Sequence, residues 1–450
     1  MRSFRVILAL VLAGVAGCSL LVDLEPFHGG STPADAAPDS AAIDFGSGKD
    51  GELTVSTEAV VNDYAAIVET AIAGARRLVV GDGARFVAGD AVLVWQTVGR
   101  DTSPVGDPRP IAPTEGAGRY ALARVTATES NAMTLDRALD FDVLGGLAQV
   151  VRVREYSALT VQSGGAIRAL PWDGSVGGVV AIFVAGSLVV DGTIAASGAG
   201  SRGGRAALTL AHLLGCEKLE GTSGDGYAPR GEGIVAGYDG VGDPASAPGG
   251  RGNEANGGGG GNCHNAGGGG GGGSGGAGGV GGDSWEGDMS RPVGGAGGVA
   301  LAAPLGGRFF LGGGGGAGHA DGPADDQVAS SGAAGGGVVF VRAASVVGNG
   351  AIVADGEDAL AAVDQGGGGG GGGGSILVES GEPVRVAVSA RGGRGADTTA
   401  AIGPGGGGGG GRIRLAPPSA GARNDVGGGA SGTTPNLPRG AAPGAPGVIE

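Results

Sequence analysis

The 450-residue chain has few of the residues on which catalytic, metal-binding and nucleic-acid-binding proteins depend. It contains three cysteines, four histidines and two lysines, Lys49 and Lys218, and only 4% of its residues are aromatic. Its 44 acidic and 29 basic residues give a formal charge of −15, which argues against a nucleic-acid partner. No apolar run beyond the N-terminal segment is long enough to cross a bilayer as a helix. The abundant residue is glycine, with 108 copies.

The N-terminal segment has the features of an export signal. Arg2 and Arg5 precede an apolar stretch, Val6 to Ala16, that is too short to span a membrane. The sequence Val15-Ala16-Gly17-Cys18 that ends this region resembles the lipobox of bacterial lipoproteins. The resemblance implies a signal peptide over residues 1–18, lipidation of Cys18 and a membrane anchor made of acyl chains. An ordinary secretory signal with a chance cysteine is the alternative. Ser19, in place of Asp, favours the outer membrane or cell surface.

Two cysteines remain after Cys18. Cys216 and Cys263 fit one disulfide, expected in an exported chain, across about 46 intervening residues. Two free thiols are the first alternative. Zinc is the second, because His212 and His264 lie nearby, although the intervals match no familiar zinc module. We therefore expect no metal and no cofactor.

Composition divides the rest of the chain. Residues 19–52 are rich in Ala, Asp, Pro, Ser and Gly and predict a disordered tether. Residues 53–160 carry short β runs separated by Gly-Asp turns, such as Phe86 to Gln96, which predict a small β-barrel or sandwich. Asn62 to Ala73 has helical spacing, with a strand as the alternative. Residues 417–450 form a Pro/Gly-rich tail.

Residues 161–416 form a glycine-rich repeat with an insertion at 198–335. Apolar runs begin at Val338, Ser375 and Arg412, which are 37 residues apart, and nine glycines, Gly366 to Gly374, precede the second. A fixed period indicates stacked units. In the first copy, Val179 to Val184 are apolar at every position, which predicts a strand covered on both faces.

This pattern resembles glycine-rich bacterial cell-surface proteins of the β-solenoid kind. It also resembles, more loosely, the glycine-rich extracellular region of receptors such as anaplastic lymphoma kinase, in which poly-glycine runs form bundled extended helices. The resemblance implies an all-β, solenoid-like fold with packed, extended poly-glycine segments. Because the nine-glycine run keeps register with the repeat, we expect it to be ordered.

Few residues suggest chemistry. Gly278 to Trp285 fits a calcium β-roll pattern, and Gly392 to Asp397 fits its first six positions, but both are isolated, whereas calcium binding of this kind requires tandem copies. Gly272 to Gly276 fits a nucleophile-elbow pattern, but no strand precedes it. Asp325-Asp326 and Glu357-Asp358 could act as paired carboxylates, although solvated turns explain them better.

The sequence therefore predicts a lipid-anchored structural or adhesive protein of the cell surface, without a catalytic site. Its partners would be the membrane and cell-surface or matrix components. The alternative is a carbohydrate-active or calcium-dependent enzyme on a β-solenoid. An enzyme requires a cleft in which carboxylates and aromatic side chains converge.

Overall fold

The fold is all-β, as predicted. The computed structural model describes residues 43–99, 105–113, 116–206, 218–222, 226–238, 247–261, 266–284, 294–320, 329–419, 423–435 and 437–450. Within these ranges, the regular structure consists of β-strands and one 3₁₀ turn, Gly83–Arg85. Residues Ile43–Glu450 form one compact unit.

The described residues of this unit form twenty-one strands. They are β1 (Glu52–Val55), β2 (Glu58–Ala59), β3 (Tyr64–Ile67), β4 (Arg77–Val79), β5 (Ala91–Trp95), β6 (Tyr120–Glu129), β7 (Ala132–Leu135), β8 (Ala148–Tyr156), β9 (Ala158–Val161), β10 (Ala166–Arg168), β11 (Val179–Val190), β12 (Thr193–Ala195), β13 (Gly221–Thr222), β14 (Pro248–Gly249), β15 (Val338–Val347), β16 (Ala351–Val353), β17 (Ser375–Ser380), β18 (Ala387–Ser389), β19 (Arg412–Ala416), β20 (Asn424–Asp425) and β21 (Val448–Ile449).

The N-terminal strands form an antiparallel sheet that stays open. Its order is β8-β5-β6-β7-β4, and the strands lie where the β runs predicted them. The named strands do not form a closed barrel: β8 pairs with β3 and, through Arg154 to Tyr156, with β11 of the repeat, whereas β3 meets the β4 end of the order only through the isolated bridge Ile67–Val80. The segment with helical spacing, Asn62 to Ala73, contains strand β3 and no helix.

The repeat builds two parallel sheets, as the 37-residue period predicts. In the first sheet, Val338 pairs with Ser375, and Ser375 pairs with Arg412. β11 extends this sheet at one side and β21 at the other. The second sheet has the order β2-β10-β12-β16-β18-β20. Each coil thus contributes a strand to the first sheet, a strand to the second sheet and then a glycine-rich segment that leads back.

Strand β11 of the first sheet is buried on both faces, as its sequence predicts. Val180, Ile182 and Val184 pack in the core between the two sheets. Val179, Ala181 and Phe183 pack on the opposite face, in a cluster that includes Trp95 and Phe309. Burial of each large apolar side chain contributes about 1.5–3 kcal/mol, so both faces stabilise the coil stack.

The nine-glycine run is hydrogen-bonded along its whole length. All nine N–H groups of Gly366 to Gly374 donate to other segments, eight to backbone carbonyls and that of Gly368 to Ser330 Oγ. The partners repeat every three residues. The N–H groups of Gly367, Gly370 and Gly373 donate to Gly403, Gly406 and Gly409, at 2.8–2.9 Å. Three residues per turn without internal hydrogen bonds is the geometry of an extended, polyproline-II-like helix.

Six neighbouring segments surround the run and bond to it. They lie within residues 267–273, 313–319, 330–336, 354–357, 390–396 and 403–409. Several belong to the insertion at 198–335, so the insertion supplies chains of the bundle as well as loops. We call this set of mutually bonded extended segments the glycine bundle.

Glycine is required in the bundle because neighbouring backbones leave no room for a side chain. At each of the nine positions Gly366 to Gly374, an added Cβ would lie closer than 3.0 Å to a neighbouring backbone atom. The bundle therefore resembles the crowded axis of collagen in its requirement for glycine. The run is ordered, as its register predicts.

Candidate functional site

The residues of the export and cysteine predictions lie outside the described ranges. Cys18 precedes residue 43, and Cys216 and Cys263 fall in the gaps at 207–217 and 262–265, with His212 and His264. Lipidation, the disulfide and the zinc alternative therefore stay predictions. In the part of the chain that the structure describes, no helix is long and apolar enough to cross a membrane.

The glycine motifs that imitate catalytic or calcium sites are parts of the bundle. Ser274 is fully buried, and its backbone bonds to Gly276 and Leu301, so its hydroxyl is not exposed as a nucleophile elbow requires. In the calcium-like motif, the N–H groups of Gly279 and Gly282 donate to carbonyls of another bundle segment. No group of three or more acidic, His or Cys side chains placed to hold a metal occurs among the described residues.

On the side of the second sheet, aspartate side chains accept hydrogen bonds from the backbone of the next coil. Asp355 Oδ1 accepts the N–H of Arg391, and Asp358 Oδ1 accepts the N–H of Arg394, both at 2.6 Å. Asp397 Oδ1 likewise accepts the N–H of Thr433 at 2.7 Å. In each pair the partner is 36 residues further along the chain. These side chains therefore set the register between coils.

The contacts between coils change the pKa of Asp397. Desolvation raises its pKa, but hydrogen bonds from Arg394 and Thr433 outweigh that effect and hold the pKa below its usual value. Its carboxylate is thus ionised and engaged. The second calcium-like motif, Gly392 to Asp397, supplies an ion pair between Arg394 and Asp397 at 2.6 Å.

The predicted carboxylate pair Glu357-Asp358 lines a groove of about 360 Å³. The other lining residues are Ala329, Ser330, Ser331, Gly332, Ala333, Ala359, Leu360 and Ala361. Asp358 is held by the coil contact described above. Desolvation raises the pKa of Glu357, and its carboxylate lies against Gly198. The groove therefore offers one acid of raised pKa beside one fixed carboxylate. The other predicted pair, Asp325-Asp326, lies outside the described residues.

A network of buried charges joins residues 43–51 to the body. Lys49 Nζ lies 2.6 Å from Asp90 Oδ1, and Asp90 is fully buried. Arg152 of β8 contacts the same Asp90 oxygen at 3.2 Å and Asp50 at 2.9 Å. The structured body thus begins within the segment that the sequence predicts as tether. Breaking such a buried pair typically costs about 3–5 kcal/mol, because one charge is left uncompensated.

Glu155 forms a second centre of this network. Its fully buried carboxylate accepts hydrogen bonds from Nη1 and Nη2 of Arg124, at 2.8 and 2.7 Å, and from the N–H of Ser47 at 2.9 Å. Desolvation favours the neutral acid, yet these bonds lower the pKa of Glu155 below its usual value. Sequence reasoning missed this network. The charged pattern Arg152-Val153-Arg154-Glu155 in a predicted strand is the feature of the sequence that could have indicated it.

Comparisons with known proteins add little. No family model matches the chain, and no curated protein matches it. Among solved structures, the tailspike protein gp49 from Pseudomonas phage LKA1 matches 31% of this chain with 15% identity and a TM-score of 0.17. The matched region spans 23% of the tailspike chain. Likeness at this level carries no argument about function.

Proposed function

We propose that this protein is a lipid-anchored structural or adhesive protein of the bacterial cell surface. The observation that carries the proposal is the glycine bundle, in which neighbouring backbones bond to one another with no side chains between them. Such an interior has no place for catalytic groups, but it makes a stiff body. The lipobox-like sequence at Cys18 supplies the anchor.

The charge network supports the same function. Residues 43–51, at the end of the predicted tether, are fixed to β8 through Asp50 and to Asp90 through Lys49. A pull on a membrane-bound N-terminus would therefore be transmitted to buried ion pairs. This arrangement suits a body that is held at a surface under load.

Replacement of Cys18 tests the anchor. In a Gram-negative host that expresses the full chain, we expect the wild type in the membrane fraction and Cys18→Ser in the soluble or secreted fraction. Cys216→Ser is the matched control and should stay with the membrane. Retention of Cys18→Ser on the membrane would contradict the proposal. Protease treatment of intact cells then measures surface exposure, and cell attachment to coated surfaces measures adhesion.

The groove at Glu357 favours a second candidate, a carbohydrate-active enzyme. A carboxylic acid of raised pKa beside a carboxylate is the arrangement that glycoside hydrolysis uses. The test is hydrolysis of a panel of polysaccharides by the purified protein. Activity that Glu357→Gln abolishes, while Glu382→Gln does not, would favour the enzyme over the structural protein.

A further inference from the structure

The outer face of the first sheet carries an aromatic and arginine surface near its β19 side. Tyr120 of β6 stacks on Phe309, with ring centroids 4.1 Å apart and planes inclined by 8°. Phe340 of β15 packs beside both rings, at 6.0 Å from Tyr120 and 5.2 Å from Phe309. Phe309 and Phe340 are fully buried, whereas Tyr120 is only partly buried. Tyr120 is therefore the solvent-facing member of a rigid aromatic group.

An ion pair borders this aromatic group. Arg342 Nε lies 2.6 Å from Glu379 Oε2, across paired strands β15 and β17. The Arg342 guanidinium also lies over the rings of Phe183 and Phe340, at 5.2 and 5.3 Å from their centroids. These contacts fix the orientation of both charged side chains.

Arg414 continues the row of side chains along this face. Its register partner is Leu377, whose own partner is Phe340, so Arg414 stands next in line after two buried apolar residues. Its Nη1 lies so close to Gly306 that a Cβ there would collide with it. Arg414 is half-buried, yet no carboxylate in the described part of the chain lies within ion-pair distance.

The Tyr120 hydroxyl is also without a partner among the described residues, although the ring is partly buried. Desolvation raises the pKa of Tyr120, Glu379 raises it further, and Arg342 and Arg414 lower it. Glu379, Arg342 and Arg414 thus each act on the Tyr120 hydroxyl. Two hydrogen-bonding groups, a hydroxyl and a guanidinium, remain available beside an oriented ion pair.

We propose that this surface binds an anionic glycan, a polysaccharide that carries carboxylates. The Tyr120 ring contacts the apolar face of a sugar, Arg414 binds the carboxylate, and the Arg342–Glu379 pair accepts and donates hydrogen bonds to hydroxyl groups. Charge complementarity selects the ligand: in a chain of formal charge −15, Arg414 is a half-buried cation that lacks an acidic partner in the described structure. Arginine matches the geometry of a carboxylate with two parallel hydrogen bonds. The inference rests on the proposed adhesive function and names its ligand.

The test compares two polysaccharides and matched arginine variants. Purified full-length protein in detergent is titrated with polygalacturonate, which is carboxylated, and with dextran, which is neutral. We expect binding to polygalacturonate alone. Arg414→Gln should weaken it roughly 10–100-fold, the effect of losing one charge-assisted, bidentate contact. Arg385→Gln is the control, because it removes an equal charge from an exposed residue of the same repeat.

Tyr120 gives an independent readout. Tyr120→Phe keeps the ring and should lose only the contact of the hydroxyl, a few-fold effect, whereas Tyr120→Ala should lose most of the binding. Melting curves of each variant establish that it is folded. Equal affinity for dextran, or equal loss in Arg414→Gln and Arg385→Gln, would overturn the proposal.

A second acidic copy of the chain is the competing occupant of this surface. Sedimentation distinguishes it, since self-association that Arg414→Gln abolishes would assign the surface to a protein contact and overturn the glycan. If the wild type is retained on the membrane through Cys18 but does not bind polygalacturonate, this inference alone is refuted. If membrane retention does not depend on Cys18, the proposed anchor is refuted instead.

Discussion

Addition of one methyl group inside the glycine bundle should destabilise the protein markedly. Gly371 follows the central residue of the nine-glycine run, and its N–H donates to Glu357 O at 3.0 Å while its carbonyl accepts from Gly393 N at 2.8 Å. In Gly371→Ala, the new Cβ would lie closer than 3.0 Å to Ala334 backbone atoms. Because backbone atoms cannot rotate away, a chain of the bundle must shift.

The expected loss of stability combines two destabilising contributions and one that opposes them. Overpacking of a dense interior costs about 1–3 kcal/mol. Weakening of two hydrogen bonds adds about 0.5–1.5 kcal/mol each. The reduced backbone freedom of alanine in the unfolded chain returns only about 0.4–1 kcal/mol. We therefore expect Gly371→Ala to lower the free energy of unfolding by about 3 kcal/mol, within a range of about 1–6 kcal/mol, as measured by the shift in the denaturant midpoint.

Gly307 provides the matched control. It is exposed, its φ lies outside the left-handed region, and an added Cβ would meet no atom within 4 Å. Gly307→Ala should be neutral or slightly stabilising, because only the unfolded chain is affected. Equal midpoints for Gly371→Ala and Gly307→Ala would refute the conclusion that the bundle excludes side chains.

Two further predictions concern the bundle and the charge network. The amides of Gly366 to Gly374 should exchange with solvent far more slowly than the exposed segment around Gly307, as hydrogen exchange with mass spectrometry measures; fast exchange throughout the run would contradict the bundle. Glu155 has a lowered pKa, so its stabilisation is full above the unfolded value of about 4.3 and is lost as the pH falls through the lower native value. Denaturant midpoints at pH 6 and pH 3 should therefore differ less in Glu155→Gln than in the wild type, whereas exposed Glu129→Gln should behave like the wild type.

The repeat could be predicted from the sequence because its signal is periodic. The equal distances from Val338 to Ser375 and from Ser375 to Arg412 become, in the structure, the pairing register of neighbouring strands. The apolar residues on both faces of β11 likewise correspond to two packed clusters. Such features are local or evenly spaced, so one sequence is enough to find them.

Contacts between distant, non-repeating segments could not be predicted. Gly269 bonds to Gly367 and Gly272 to Gly370, but any two glycine runs look alike in sequence, so their partners are not encoded locally. The pairing of β8 with β11 could not be predicted for the same reason, because the strand pattern does not reveal which strand lies at the edge of a sheet. Lys49 and Asp90 meet across 41 residues without any spacing that indicates a pair.

The position of the side chains in this fold limits where chemistry can occur. Inside the bundle, neighbouring backbones leave no room for a Cβ, so no functional group can be presented from Gly366 to Gly374. Apart from Tyr156, the core between the sheets is aliphatic. The two candidate surfaces lie elsewhere, on the outer face of the first sheet and along the coil turns. Arg414 lies on the outer face of the first sheet, and Glu357 lies along the coil turns. Of these two residues, only Arg414 has a charge opposite in sign to the net charge of the chain. An acidic surface repels acidic polymers, so a half-buried arginine on it confines their binding to one place.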